Sequence, residues 1–141
     1  MTPDQNRLAV RRLVDEGFNK HNLRIFAKDA VNHDPAQPNL GRGPQGARES
    51  MHVYTTAFPA ARLIIEREIA EGDYVVQYLR ASGVHTGPLG SIPATGKTTN
   101  VIGVITSKFR DGKVVETWSL WDQLTLMQQL GVVPLSVVPA K

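Results

Sequence analysis

Apolar positions recur at helical spacing early in the chain and fall into alternating, strand-like runs later. Val10, Leu13, Val14 and Phe18 share one face of an amphipathic helix of about four to five turns. Thr2-Pro3-Asp4-Gln5 opens that helix, with Thr as cap, Pro in the first turn and Gln three residues after the cap, the pattern of a capping box. His21-Asn22 ends it, and Asn22 is placed to cap a short second helix through Leu23, Ile25 and Phe26. Residues 32–39 read as a polar loop, because Pro35 and Pro38 forbid regular structure. After Gly43-Pro44, the residues Ala47, Met51, Tyr54 and Phe58 line one face of a third helix that Pro59 closes.

From residue 62 the period shortens. Residues 62–69, 74–85, 98–109 and 113–122 read as strands, with turns at Glu71-Gly72-Asp73 and at Asp111-Gly112, a tight-hairpin signal. Residues 87–97 form a Gly/Pro-rich connection, and 123–130 a short terminal helix stopped by Gly131 before a tail with Pro134 and Pro139. Helices first and a meander second predict one α+β domain over residues 1–141: a mainly helical part (1–59), strands and terminal helix (60–131), and a tail (132–141).

Composition narrows the function. The chain has 141 residues, 41% hydrophobic and 21% charged, which is the balance of an ordinary globular domain. Its net charge of +3 comes from scattered basic residues, without the basic stripe and interleaved aromatics of a nucleic-acid binder. No apolar run approaches the roughly 20 residues of a membrane span, and the polar N-terminus starts no signal-peptide stretch, so cytoplasmic residence is the default expectation. Cysteine is absent, which removes disulfides, thiolate metal sites and Cys nucleophiles.

Two nucleotide-binding patterns fail on context. Residues 41–46 spell G-x-G-x-x-G, but a proline-broken loop precedes them where a dinucleotide site needs a strand. Gly96-Lys97-Thr98 ends like a phosphate-binding loop, yet Ser91 stands where the first Gly is required and a strand follows in place of a helix. No pair among His21, His33, His52 and His85 has metal-ligand spacing; a composite of His33, His85 and Asp122 is the remaining metal arrangement.

The last strand carries the chemistry. Alternation puts Glu116, Trp118, Leu120 and Asp122 on one face and Val115, Thr117, Ser119 and Trp121 on the other. If Trp118 and Leu120 face the helices, Asp122 points inward, where burial would raise its pKa toward that of a working acid/base. The competing reading is that Asp122 caps the helix starting at Gln123. His85, between Gly83 and Gly87 at a strand end, is either a second polar group of the site or an exposed loop histidine. His33, beside Asp34, either lines a pocket mouth or serves turn chemistry. Phe18, Met51, Tyr54 and Phe58 are core positions that would also form the pocket wall in so small a domain.

With Val31-Asn32-His33-Asp34-Pro35, Ile92-Pro93-Ala94-Thr95-Gly96-Lys97, Asp111-Gly112-Lys113 leading to Glu116 and Trp118, then Asp122 and Gln129-Leu130-Gly131, the chain resembles the SnoaL-like polyketide cyclase family. That resemblance implies a cone-shaped α+β barrel, with N-terminal helices packed on a curved, mostly antiparallel sheet. It implies an enzyme that needs no metal or organic cofactor and closes a ring in an aromatic polyketide by intramolecular aldol condensation. Asp122 occupies the place of the family's acid/base, with His85 or the Trp118 indole as enolate donor. The resemblance also implies a small hydrophobic aromatic substrate, contacted by His33, Trp118, Tyr54, Met51, Phe58 and Phe18. Aglycone hydroxylation and non-catalytic binding are the alternatives within the superfamily. Epoxide hydrolysis would need an Asp–Arg–Asp network, for which Arg80 is the one arginine in a suitable place. An open sheet face bearing Ile102, Val104 and Thr106 predicts a homodimer or higher homo-oligomer.

Overall fold

Thr2 and Gln5 hold the start of the first helix by reciprocal bonds: the Gln5 N–H donates to Thr2 Oγ1 at 3.2 Å and the Thr2 N–H to Gln5 Oε1 at 2.9 Å. The computed structural model describes residues 2–12 and 23–134. The helix α1 runs Pro3–Arg12, and its expected continuation through Phe18 lies outside the described residues. It is tied to the sheet through Glu68, whose nearly buried carboxylate meets Arg11 Nε at 3.0 Å and Arg7 Nε at 3.5 Å and accepts from Gln77 Nε2 at 3.0 Å.

The elements that follow are β1 (Phe26–His33), α2 (Gly43–Ala57), β2 (Arg62–Glu71), β3 (Tyr74–Val84), β4 (Thr98–Arg110), β5 (Lys113–Trp121) and α3 (Gln123–Gln129). The strands form one five-stranded sheet in the order β1-β5-β4-β3-β2. All neighbours are antiparallel except β1 and β5, which run parallel. This is an α+β fold with helices packed on a mostly antiparallel sheet, as expected.

The strand β1 is a correction, because the sequence predicted a short helix followed by a loop there. Its buried residues Phe26 and Ala30 stand four apart, a helical spacing, because the register against β5 shifts between Phe26 and Val31. A bulge breaks the alternation that would have marked a strand.

The core divides into clusters. One gathers Phe26, Ala30, Ala47, Val75, Phe109 and Val114; another Ala57, Phe58, Leu89, Val101, Leu126 and Leu130; a third Leu63 and Leu79. Full burial of side chains such as Leu79 and Val75 stabilises the fold by roughly 1.5–3 kcal/mol each. Between these clusters the packing opens into a cavity.

The glycine run at residues 41–46 has a packing role. A Cβ at Gly46 would stand 1.8 Å from the Gly41 carbonyl oxygen and 2.9 Å from Asn32 Nδ2, so only glycine lets α2 start so close to β1. Among the described residues no helix is long and apolar enough to cross a membrane.

Candidate active site

The cavity measures about 130 Å³, roughly ten times the space one water needs. It takes wall residues from every cluster, among them Phe26, Met51, Phe58, Leu63, Val101 and Leu126. Ile105 and Trp121 add to the apolar lining. The polar lining comes both from the ends of β1 and β5 and the start of α3 (Asn32, Asp34, Thr117, Ser119, Asp122, Gln123) and from β3 and β4 (Gln77, Ser82, Thr99, Ser107). An apolar cavity with a small convergent set of polar groups is the usual form of a small-molecule site.

The strand β5 presents the opposite face to the one expected. Trp118 is 37% exposed and Leu120 63% exposed, while Thr117, Ser119 and Trp121 line the cavity. Alternation is as predicted; the side is reversed. Both faces carry a tryptophan, so hydrophobicity does not tell which one turns inward. Trp121 settles into the wall because Gly103 lies opposite it on β4 and leaves room for the indole.

Asp122 reaches the cavity wall by another route. The sheet ends at Trp121, and the Asp122 N–H makes a last bond to the Ile102 carbonyl oxygen at 3.0 Å before the chain turns into α3. Its carboxylate accepts from the Thr125 hydroxyl at 2.6 Å and the Thr125 N–H at 3.0 Å, as an N-cap. These bonds, the hydroxyl's first, hold the Asp122 pKa below the ordinary carboxylate value. The expectation of a burial-raised pKa is overturned, since the side chain is exposed and hydrogen-bonded in its charged form.

His85 lies outside the cavity lining. Its side chain is fully buried behind Phe58, with ring centroids 5.3 Å apart. Its Nδ1 accepts from the Thr95 N–H at 3.2 Å and lies 2.9 Å from Thr95 Oγ1. The His85 N–H donates to the Lys97 carbonyl at 2.9 Å, and its own carbonyl accepts from Gly96 at 2.8 Å. The residue therefore fastens the 92–97 loop.

His33 borders the cavity, but its ring stacks on Trp118 at 5.5 Å and its Nε2 meets Glu116 at 2.7 Å, on the sheet's outward face. Trp118 itself does not line the cavity. Met51, Tyr54 and Phe58 do; Phe18 lies outside the described residues. Arg80 pairs with Glu66 and donates to Asn100 Oδ1 at 2.8 Å, away from the lining, so among the described residues no Asp–Arg–Asp network forms around it. Among the described residues no three His, Asp or Glu side chains converge as metal ligands, and the composite of His33, His85 and Asp122 does not assemble.

Several lining residues were not picked out in the sequence. Gln123 Nε2 donates to the Tyr54 hydroxyl oxygen at 2.7 Å, linking α3 to α2 across the cavity. Asn32 Oδ1 accepts from the Thr117 hydroxyl at 3.0 Å, joining β1 to β5. The Tyr54 pKa is raised, first by burial, with the Gln123 bond opposing and the Asp34 charge adding to the rise.

The fold matches known proteins. AclR of Streptomyces galilaeus, a candidate hydroxylase, superposes with a TM-score of 0.83 at 22% identity, covering 98% of this chain and 87% of that one. At that identity the likeness establishes the fold. IdmH of Streptomyces antibioticus, a candidate polyketide cyclase, is 29% identical, with a TM-score of 0.77 over 91% of this chain and 99% of its own. A candidate SnoaL-like polyketide cyclase from Jannaschia sp. CCS1 is 26% identical, with a TM-score of 0.74 over 95% of this chain and 98% of its own. No curated protein sequence matches significantly. The model of the SnoaL-like polyketide cyclase family matches residues 8–130, and the chain belongs to that family.

Proposed function

We propose that this protein is a cofactor-independent cyclase that closes a ring in an aromatic polyketide ester by intramolecular aldol condensation. The observation that carries the reading is an ionised carboxylate, Asp122, on the wall of a largely apolar cavity in a chain of this family. A methylene between two carbonyls is acidic enough for one carboxylate to take its proton. The enolate carbon then attacks a ketone of the same molecule, and the resulting alkoxide takes a proton back. An apolar substrate lying over Asp122 would displace water from it and strengthen it as a base. Apolar walls fold the chain into a reactive shape, which supplies much of the rate.

His85 and Trp118 do not line the cavity, so neither supplies the enolate's donor. Gln123, next to Asp122, takes that role: one amide N–H goes to Tyr54 and the second remains for the substrate oxygen. A specific observation favours a second reading, a binding module without turnover: the carboxylate is already engaged by Thr125.

The test is incubation of the protein alone with a methyl-ester anthraquinone polyketide, followed by absorbance and mass. Ring closure supports the cyclase; binding without change supports the module; a gain of oxygen mass that depends on an added oxidant or reductase points to hydroxylation. The proposal includes a homodimer formed through the outward sheet face, where Tyr74, Trp118 and Leu120 are exposed and Ile102, Val104 and Thr106 half-buried. Sedimentation as a monomer at micromolar concentration would remove that part.

A further inference from the structure

Tyr54 follows Met51 in α2 and precedes Phe58, the C-cap of that helix, and all three line the cavity. Its hydroxyl oxygen accepts from Gln123 Nε2 at 2.7 Å. A phenol accepts and donates at once, so its own proton is left over. Among the described residues nothing takes that proton. Anchoring α3 to α2 uses only the oxygen.

Gln123 is left in the same state. Its Nε2 carries two protons; one goes to Tyr54, and the other has no acceptor among the described residues. Two free donors therefore start from atoms 2.7 Å apart, both on residues of the cavity wall. One oxygen can lie about 2.7–3.1 Å from both, at the third corner of a triangle. The bond from Gln123 also polarises the phenol and strengthens it as a donor.

Charge decides which oxygen suits that corner. A neutral carbonyl gains little over what water offers it, whereas an oxygen that acquires negative charge gains at both bonds. The phenol has to keep its proton for this. Burial first, and then the charge of Asp34, raise the Tyr54 pKa against the Gln123 bond, so the phenol stays protonated near neutral pH. Asp34 is fixed by its turn, where Oδ1 accepts from the Ala36 N–H at 2.9 Å and Oδ2 is buried without a partner among the described residues. Its charge also opposes an anion at the corner, and the two donors have to outweigh it.

We infer that Tyr54 is a catalytic residue, its hydroxyl and the Gln123 amide together forming an oxyanion hole beside Asp122. The inference rests on the cyclase reading above and adds a second donor to it. As the substrate C–H bond breaks, its proton goes to the Asp122 carboxylate and the electron pair moves onto the enolate oxygen at the corner. The carbon then bonds to the ketone carbon, the π pair of that ketone becomes an alkoxide, and the proton on Asp122 passes to it. Tyr54 and Gln123 give hydrogen bonds throughout and lose no proton.

The test is the ionisation of bound 4-nitrophenol, whose phenolate is read by absorbance, with folding of each variant checked by thermal melting. Asp122→Asn is the starting protein, because a neutral side chain of the same shape stands in for Asp122 after it has taken the proton. Bound nitrophenol is expected to have a pKa about one unit or more lower in Asp122→Asn than in Asp122→Asn combined with Tyr54→Phe. That is a tenfold or greater loss in preference for the phenolate when the tyrosine hydroxyl goes. Equal values in the two folded proteins, or no binding of nitrophenol to folded Asp122→Asn, overturn the oxyanion hole. If the double variant does not fold, Asp122→Asn decides alone: a bound pKa below the free value supports the inference, and one at or above it overturns it. The lowered pKa without ring closure of the ester removes the cyclase and keeps the oxyanion hole; ring closure without the lowered pKa does the reverse.

Discussion

Thr125 holds both oxygens of the Asp122 carboxylate, its hydroxyl 2.6 Å from Oδ2 and its N–H 3.0 Å from Oδ1. The carboxylate caps α3, and Asp122 is also among the residues that line the cavity. Capping and the proposed base role both call for the ionised form, which the Thr125 bonds favour.

A pH dependence follows from that linkage. The folded-state pKa of Asp122 lies below its unfolded value, so its contribution is fully present above about pH 4 and lost as pH falls through the folded value. Thr125→Val removes the hydroxyl but keeps the backbone cap. At about pH 7 it is expected to lower stability by about 1 kcal/mol in urea denaturation. The difference from wild type shrinks as the pH is taken well below 4. A difference that stays constant into acid would show that the hydroxyl stabilises something other than the charge.

The bond network around His85 predicts a separation between loop stability and ligand binding. Thr95→Val removes the hydroxyl that sits 2.9 Å from His85 Nδ1. Amide exchange at Gly96 and Lys97 should speed up, with a stability loss of about 1 kcal/mol. Affinity for an aromatic ligand should stay within about twofold, because neither residue lines the cavity. A large loss of affinity would place His85 in the site after all.

Gly103 controls where Trp121 sits. A Cβ there would lie 2.3 Å from the indole ring, so Gly103→Ala must displace a cavity wall. The expected cost is about 1–3 kcal/mol, with a shifted tryptophan emission and weakened binding of an aromatic ligand. Unchanged emission and stability would mean that the ring has room to spare.

Much of the fold was legible in the sequence. The capping box at Thr2, the turns at Gly72 and Gly112 and the alternation in β2 to β5 each leave a local pattern. β1 was not legible, because its bulge spaces Phe26 and Ala30 like a helix and only pairing with β5, far along the chain, makes it a strand. The site was legible in part. Met51, Tyr54 and Phe58 line the cavity as the α2 periodicity suggests, and Asp122 reaches its wall. Its chemical state was misread because alternation was carried one residue past the end of β5. His85 was misplaced because its flanking glycines suggest room for a ligand to come close, whereas the 92–97 loop closes over it. The turn chemistry of Asp34 was visible beside Pro35, but its unsatisfied oxygen is a property of three-dimensional packing.

The most direct test of the central proposal is single-turnover ring closure of the polyketide methyl ester by wild type and Asp122→Asn, with no metal or cofactor added. Asparagine keeps the cap on Thr125, so thermal melting should show the variant folded within about 1 kcal/mol of wild type. The account predicts that wild type closes the ring and that Asp122→Asn slows closure by about 10²- to 10⁴-fold with substrate affinity little changed. Closure at the wild-type rate by the folded variant would contradict it.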